Sequence, residues 1–254
     1  MKLVVKYGGN AITGENNVLS ELAERARAGD ACVLVHGGGP QIAAALQRSG
    51  VVSRFVEGLR VTDDDAMAIV EGVLCGTVNK DLVRRLQRLG ARAVGVSGED
   101  GGLLWPTAIR AELGRVAGDV GVDPSLLDGL TGLGFLPVVS PVAASRDGLA
   151  YNVNADVAAG AIAGAFGADA YVVLTDVDGV RADREDPAST VASLSLDELA
   201  DWRRSGRLQG GMIPKIDGAE RAARDGARQV RIASAIPTHP IAAALAGAGT
   251  AILR

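Results

Sequence analysis

The chain has 254 residues, 48% of them apolar and 22% charged, a balance that excludes a disordered or fibrous polymer and suits a folded α/β core. Its 26 basic and 30 acidic side chains leave a net charge of −4, and only three Phe, three Tyr and two Trp are present, so a nucleic-acid-binding face is not expected. No window approaches the roughly 18 apolar residues that span a bilayer. The N-terminus shows no charged-then-apolar signal segment, and Cys32 and Cys75 form neither a disulfide framework nor a metal-ligand spacing. They read as small core residues in a protein of the reducing cytoplasm, with no membrane partner.

Thirty-four glycines punctuate the ends of apolar runs rather than forming a low-complexity tract. Leu3–Val5 reads as a buried strand, Val18–Ala28 as a helix, Cys32–His36 as a second strand and Gln41–Arg48 as a second helix. This alternation predicts parallel strands with helices on both faces. Arg54–Val61 is a hairpin or an excursion from the sheet. Asp63–Asp65 then caps a long helix whose apolar positions Met67, Val70, Leu74, Val78, Leu82, Leu86 and Leu89 recur every three or four residues. Gly72 and Gly76 inside it each cost about 1 kcal/mol relative to Ala, which a closely packed partner, such as a second subunit, would explain; an ordinary core helix is the alternative.

Arg92–Val96 is the next strand. Residues 101–120 break into short, polar-spaced runs, as in a hairpin lying over a site. Ser125–Gly132 is a helix and Leu136–Ser140 a strand, and "DGLAYNVNAD" is a turn and short strand entering a helix over Asp156–Phe166. The second half restarts with the strand Tyr171–Leu174, which ends in "TDVDGV". Ser195 and Glu198 form a capping box that opens a helix through Arg204. "GGMIPK" enters another helix to about Asp225, and Val230–Ile232 and Thr250–Leu253 close the sheet. There is no internal repeat and no Pro- or Ser-rich linker. Two lobes, 1–167 and 168–254, on one continuous sheet are expected.

Two strands run directly into bare backbone, "LVVKYGG" at Leu3–Gly9 and "LVHGGGP" at Leu34–Pro40. A glycine run between strand and helix presents backbone N–H groups in one concave surface that suits phosphate. A tight turn needing positive φ would use the same residues. Neither stretch matches the G-x-x-x-x-G-K-[ST] or G-x-G-x-x-G pattern. Lys6 ends an otherwise apolar strand and needs an anionic partner there; Lys215 stands at a second glycine-rich helix entry. Arg60 in "EGLRVT" suits a carboxylate clamp. Asn152 and Asn154 either supply amide groups beside Asp156 or shape the turn and cap the helix. His36 and His239, the only histidines, pair with no Ser or Cys in a nucleophile arrangement, and no H-E-x-x-H or Cys cluster offers zinc. Many anion donors without an acid–base triad fit phosphoryl transfer.

The segments "VVKYGGNAI", "VLVHGGGPQI", "FVEGLRVTDDDAM", "GTVNKDLV", "VGVSGEDGGLL", "GFLPVVSPVA", "YNVNADVAAGAIA", "VLTDVDGV" and "GGMIPKIDGA" follow one another with the spacing of the acetylglutamate kinase family, which the chain resembles over essentially its whole length. The resemblance implies the amino-acid kinase fold, a three-layer αβα sandwich around a mainly parallel eight-stranded sheet. The N-terminal lobe would bind the amino-acid substrate and form a homodimer, and the C-terminal lobe would bind ATP. The implied reaction transfers the γ-phosphoryl group of ATP to the γ-carboxylate of N-acetyl-L-glutamate, a step of arginine biosynthesis. By resemblance Lys6 and Lys215 flank the transferring group and Asp156 orients them. Gly8, Gly9, Gly37, Gly38 and Gly39 offer N–H groups, and Arg60 and Asn152 grip the substrate's α-carboxylate end. Thr175, Asp176, Val177, Gly179, Gly211 and Met212 surround the nucleotide, whose phosphates carry Mg²⁺ with waters filling most of its coordination.

The chain begins just before its first strand, without the N-terminal helix that links dimers into arginine-inhibited hexamers in some family members, so a homodimer with little arginine feedback is expected. A sister group phosphorylates an aminoadipate or glutamate side chain attached to a small carrier protein. "LCGTVNK", Arg110 and Arg115 would also suit that substrate, whereas "NVNAD" and "EGLRVT" favour free acetylglutamate. A non-catalytic relative would be expected to lack one of Lys6, Asp156 and Lys215, and all three are present. Dinucleotide-dependent oxidoreduction is disfavoured by the missing G-x-G-x-x-G.

Overall fold

The computed structural model describes residues 1–8, 12, 17–56, 58–183 and 185–254. Apolar runs too short for a helix and closed by a turn form strands, and the longer amphipathic runs between them form helices. In chain order these are β1 (Lys2–Tyr7), α1 (Val18–Arg27), β2 (Ala31–His36), α2 (Gly39–Arg48), the hairpin β3 (Phe55–Val56) and β4 (Leu59–Arg60), and α3 (Asp64–Glu71). A wider π-helical turn, Gly72–Val78, joins α3 to α4 (Asn79–Arg88); β5 (Ala93–Ser97), β6 (Leu104–Ile109), β7 (Val116–Val122), α5 (Ser125–Gly132) and β8 (Leu136–Ser140) follow. The rest comprises β9 (Val142–Ala144), β10 (Ala150–Val153), α6 (Ala155–Ala165), β11 (Ala170–Thr175), β12 (Ser193–Ser195), α7 (Leu196–Arg204), α8 (Met212–Asp225), β13 (Gln229–Ser234), α9 (Pro240–Leu245) and β14 (Thr250–Leu253). Helix starts carry their own chemistry: Asp63 accepts from Ala66 N at 2.9 Å, Asn154 from Asp156 N at 2.8 Å, and Ser195 and Glu198 form the reciprocal box.

Eight strands form one sheet in the order β12-β14-β13-β11-β1-β2-β8-β5, and every neighbouring pair is parallel except β13 and β14. β1 lies in the middle, with Lys6 paired to Val173 of β11 on one side and Val35 of β2 on the other. Its side chains alternate between faces. Val4 joins Val33, Val35, Tyr171 and Val173 under α5, α6, α7 and α8, whereas Leu3, Val5 and Tyr7 join Leu34, Val172 and Leu174 under α1, α2, α3, α4 and α9. This is the expected three-layer αβα sandwich. No helix among the described residues is long and apolar enough to cross a membrane.

The closest helix contact couples the two halves of the chain. α6 crosses β1, β2 and β11, α8 crosses β11, β13 and β14, and the two helices touch through their backbones. A Cβ on Gly160 would lie 2.1 Å from the Gly218 carbonyl oxygen, and one on Gly218 would lie 2.2 Å from the Asp156 carbonyl oxygen. Asp156 lies at that contact and Lys215 about one turn before Gly218, so the contact sets the separation of the two charged groups. On the opposite face Glu21 of α1 accepts from Ile241 N at 2.8 Å and Ala242 N at 2.6 Å, capping the neighbouring α9.

Several features differ from the sequence expectation, among them the helix α9 and the strand β9, which no sequence signal marked. The segment 101–120 does form a hairpin, β6–β7, but it belongs to a second sheet of order β6-β7-β10-β9. β10 and β7 pair in parallel at only two positions, Asn152↔Val116 and Val153↔Ala117, a non-local pairing with no turn signature. The long helix expected from Met67 to Leu89 is interrupted by the π-helical turn, which keeps Val73, Leu74 and Val78 buried while Gly72 and Gly76 face outward with open space beyond them. The three-residue β12 was too short to register as a strand.

Gly218→Ala should destabilise the fold by about 1–3 kcal/mol in urea unfolding, because the added methyl meets backbone that has nowhere to move. Unchanged stability would show that the helices can separate at no cost.

Candidate active site

In an open parallel sheet the crevice beyond the carboxyl ends of the strands, where strand order reverses, is the natural binding position. Here the chain passes from β1 to β2 on one side and adds β11 on the other. The ends of these three strands carry Lys6 and Gly8, Gly37–Gly39, and Thr175 and Asp176. Strand alternation turns Lys6 toward the face covered by α6 and α8, beneath the first turns of both helices.

There Lys6 Nζ lies 2.8 Å from Asp156 Oδ1, and Lys215 Nζ lies 3.6 Å from Asp156 Oδ2. Side-chain exposures of 5% for Lys6, 7% for Asp156 and 19% for Lys215 make this a desolvated group with two cations for one anion. Burial lowers the Lys215 pKa, repulsion from Lys6 lowers it further, and Asp156 and Asp176 oppose the shift. Lys6 folds over the residue that follows Tyr7: a Cβ on Gly8 would sit 2.6 Å from its Nζ.

The two glycine turns abut, since a Cβ on Gly37 would lie 3.6 Å from Gly8 Cα. Gly9 lies outside the described residues. Gly38 is pressed against the π-helical turn, where a Cβ would come 2.8 Å from Leu74 Cδ2 and 3.3 Å from Val78 Cγ2. One expectation changes. Gly37 N–H donates to the Tyr7 carbonyl at 3.0 Å, extending the β1–β2 ladder, and so is not available to an anion. The N–H groups of Gly38 and Gly39, at the start of α2, have no acceptor among the described residues.

Behind this loop lies a buried polar cluster to which sequence reasoning gave no role. His36, fully buried, places Nδ1 2.8 Å from the Gly37 carbonyl oxygen and Nε2 3.2 Å from both Ser140 Oγ and Asn79 Nδ2. Burial depresses its pKa to about 4, the Gly37 carbonyl resists the shift and Lys80 adds to it, so the ring is neutral at pH 7. Only the adjoining glycine run, not any Ser or Cys partner, marked this histidine in the sequence.

Arg60 is buried at the end of β4. Its Nη2 reaches the Gly39 carbonyl oxygen at 3.3 Å, Nη1 donates to Ser53 Oγ, and the guanidinium covers the Phe55 ring at 4.5 Å. No carboxylate pairs with it among the described residues, and burial lowers its pKa. Thr62, which the sequence analysis passed over, ties this corner together: its Oγ1 donates to the Arg60 carbonyl at 2.9 Å and accepts from Asn152 Nδ2 at 3.1 Å. Asn154 caps α6, its Oδ1 accepting from Asp156 N.

On the other side of Lys215 opens a cavity of about 440 Å³. Thr175, Asp176, Val177, Gly179, Gly211 and Met212 all line it, together with Arg207 and Gln209, which no motif had marked. Gly8 is not on its wall. Gly179 has a packing reason to be glycine as well, since a Cβ would come 2.7 Å from Thr250 Oγ1. The arrangement is thus a cavity and an anion-seeking arginine corner, with a doubly cationic pivot and outward N–H groups at the strand ends. It offers charge stabilisation and positioning rather than a nucleophile.

Residues 1–234 of the chain match the amino acid kinase family. An acetylglutamate kinase of Pelotomaculum thermopropionicum is 41% identical, over 94% of this chain and 86% of its own. One of Methanopyrus kandleri is 42% identical, over 90% of this chain and 93% of its own. Among solved structures, smu.665 of Streptococcus mutans UA159 superposes with a TM-score of 0.85 at 26% identity, covering 99% of this chain and 98% of its own.

The buried neutral His36 makes stability depend on pH. Its folded pKa, about 4, lies below the ordinary 6.5, so between these values the unfolded chain takes up a proton that the folded chain refuses. The contribution is complete above pH 6.5 and is lost as pH falls toward 4, amounting to about 3 kcal/mol. Subtracting the unfolding free energies of a His36→Asn variant from those of the wild type isolates it. A difference that does not change across this window would mean that His36 titrates normally.

Proposed function

The chain belongs to the amino acid kinase family, among its acetylglutamate kinases, and we propose that it works through the pivot of Lys6, Asp156 and Lys215. It catalyses ATP-dependent phosphorylation of the γ-carboxylate of N-acetyl-L-glutamate, a step of arginine biosynthesis. The observation that carries the residue assignment is a buried site with two ammonium groups and one carboxylate, between a nucleotide-sized cavity and a buried arginine with no acidic partner among the described residues.

The acceptor carboxylate has a pKa of about 4 and is ionised at pH 7, so it needs no general base. The difficulty is to bring one anion against a polyanion. The carboxylate oxygen forms a bond to the γ-phosphorus while the bond to the β–γ bridging oxygen breaks and ADP departs. Lys6 and Lys215 lie on either side of the phosphoryl group in transit, and Asp156, between them, holds their orientation. Gly38 and Gly39 N–H groups face its oxygens, with Gly8 leaving room for Lys6. Arg60 and Asn152 take the α-carboxylate end of the substrate. ATP occupies the cavity of Thr175, Asp176, Val177, Gly179, Gly211 and Met212.

Among the described residues no three His, Cys, Asp or Glu side chains group as a metal cage, and the cavity offers one exposed carboxylate, Asp176. That donor set fits a Mg²⁺ carried on the phosphates and largely hydrated, which would neutralise charge on the β- and γ-oxygens.

Residues 1–167 thus form the amino-acid-binding lobe and 168–254 the nucleotide lobe. The homodimer contact would be the exposed face of Ala68, Gly72 and Gly76, with open space beyond both glycines. A carrier-linked substrate is less well supported: Arg110 pairs with Glu112 and Arg115 with Asp64, so neither is left over for an acidic carrier. A non-catalytic role is disfavoured by the assembled pivot.

The test is an ATP-dependent hydroxamate assay, in which hydroxylamine traps acyl phosphate, on N-acetylglutamate, glutamate and N-acetylaminoadipate. Strong signal from N-acetylglutamate alone is expected, from a species with about twice the 25.9 kDa chain mass in light scattering. Silence on N-acetylglutamate with Mg·ATP still bound would overturn the substrate, and a 25.9 kDa species the dimer.

A further inference from the structure

The described side chains fix the tautomer of His36 without reference to its own hydrogens. Asn79 Nδ2 lies 2.8 Å from the Val138 carbonyl oxygen, which only accepts, and Asn79 Oδ1 lies 3.1 Å from Lys80 Nζ, which only donates. The amide orientation is therefore settled, and Nδ2 is a donor. The Gly37 carbonyl oxygen, 2.8 Å from His36 Nδ1, only accepts, and Nε2 lies 3.2 Å from the Asn79 donor, so Nε2 is the bare nitrogen of the neutral ring. The ring proton sits on Nδ1 and is donated to the Gly37 carbonyl at 2.8 Å. Ser140 Oγ contacts Nε2 at 3.2 Å and the Leu74 carbonyl oxygen at 3.3 Å, so the same cluster also holds the π-helical turn.

A trans peptide points its N–H opposite to its C=O. The Gly37 carbonyl is drawn inward to the ring, so the N–H of the same peptide, that of Gly38, points outward. With no side chains on Gly37 or Gly38, little else in the loop resists a flip of this peptide, which would turn a carbonyl oxygen toward the incoming anion.

We propose that His36 is a positioning residue for phosphoryl transfer, holding the Gly37–Gly38 peptide so that the Gly38 N–H meets the transferring group. The proposal rests on the reaction assigned above. His36 touches neither substrate. It acts through one backbone donor, whose effect is confined to the charge that builds up on the phosphoryl oxygens.

Two substitutions separate this role from a merely structural one. The amide nitrogen of Asn reaches the position of Nδ1, whereas that of Gln reaches the position of Nε2. In hydroxamate kinetics with N-acetylglutamate, His36→Asn keeps the donor to Gly37 and should retain kcat within about threefold. His36→Gln loses it, and kcat should fall by about 30-fold or more, with KM for both substrates within about threefold; removal of an oxyanion donor costs on the order of 10²–10³. Thermal unfolding of both variants completes the comparison, since both disturb the same buried cluster. Equal kcat losses in the two variants, or a change confined to KM, would overturn the proposal. Ring ¹⁵N shifts of His36 test the tautomer independently of turnover: a proton on Nδ1 supports the proposal, and a proton on Nε2 overturns it. A wild type that forms no acyl phosphate would overturn the reaction itself, and the ring shifts would still report on His36.

Discussion

A carboxylate buried between two ammonium groups is a costly thing to build, and among the described buried groups the charges do not balance. Asp156 neutralises one of Lys6 and Lys215, while the first turns of α6 and α8 add the positive ends of two helix dipoles. The surplus positive charge lies where water is largely excluded, and the lowered Lys215 pKa records the strain. On the proposed reading, an incoming phosphate relieves it. A desolvated site of this kind stabilises charge at close range with little reorganisation, which is what transfer between two anions requires.

The surrounding fold keeps this imbalance in place. Alternation along β1 sends Lys6 to the α6/α8 face while its neighbours Val5 and Tyr7 pack on the other. Gly160 and Gly218 bring the helix backbones into contact beside the charged pair, at the Asp156 backbone itself, so the spacing of Asp156 and Lys215 is set by backbone rather than by flexible side chains. Charge and dipole are held by separate devices. The lysines depend on α6 and α8, whereas the glycine N–H groups depend on the neutral cluster of His36, Asn79 and Ser140 and on the π-helical turn behind them.

Much of this was readable in the sequence because it is local. Short apolar runs ending in glycine mark strands β1 and β2 together with their turns, and a lysine in a strand otherwise apolar marks its own need for a partner. Asp63, Asn154 and Ser195 mark helix starts. The unread parts are non-local. The parallel pairing of β10 with β7 rests on two residue pairs 36 positions apart, as in Asn152↔Val116. Nothing in "GVLCGTV" distinguishes a π-helical turn from an α-helical one. The link of Thr62 to Asn152 spans 90 residues, and the occupied N–H of Gly37 depends on the Tyr7 carbonyl of a neighbouring strand. His36 was invisible because its partners are an amide, a hydroxyl and a backbone carbonyl rather than the acid or nucleophile that a motif search seeks.

The central claim is that Asp156 serves by holding two lysines around the phosphoryl group, and Asp156→Asn tests it most directly by removing one charge at nearly constant volume. Turnover in the hydroxamate assay should fall by about 100-fold or more, with the circular dichroism of the fold retained and Mg·ATP still bound in calorimetry. Near-normal turnover in that variant would mean that the lysines keep their places without the carboxylate, and the account of the site would fail.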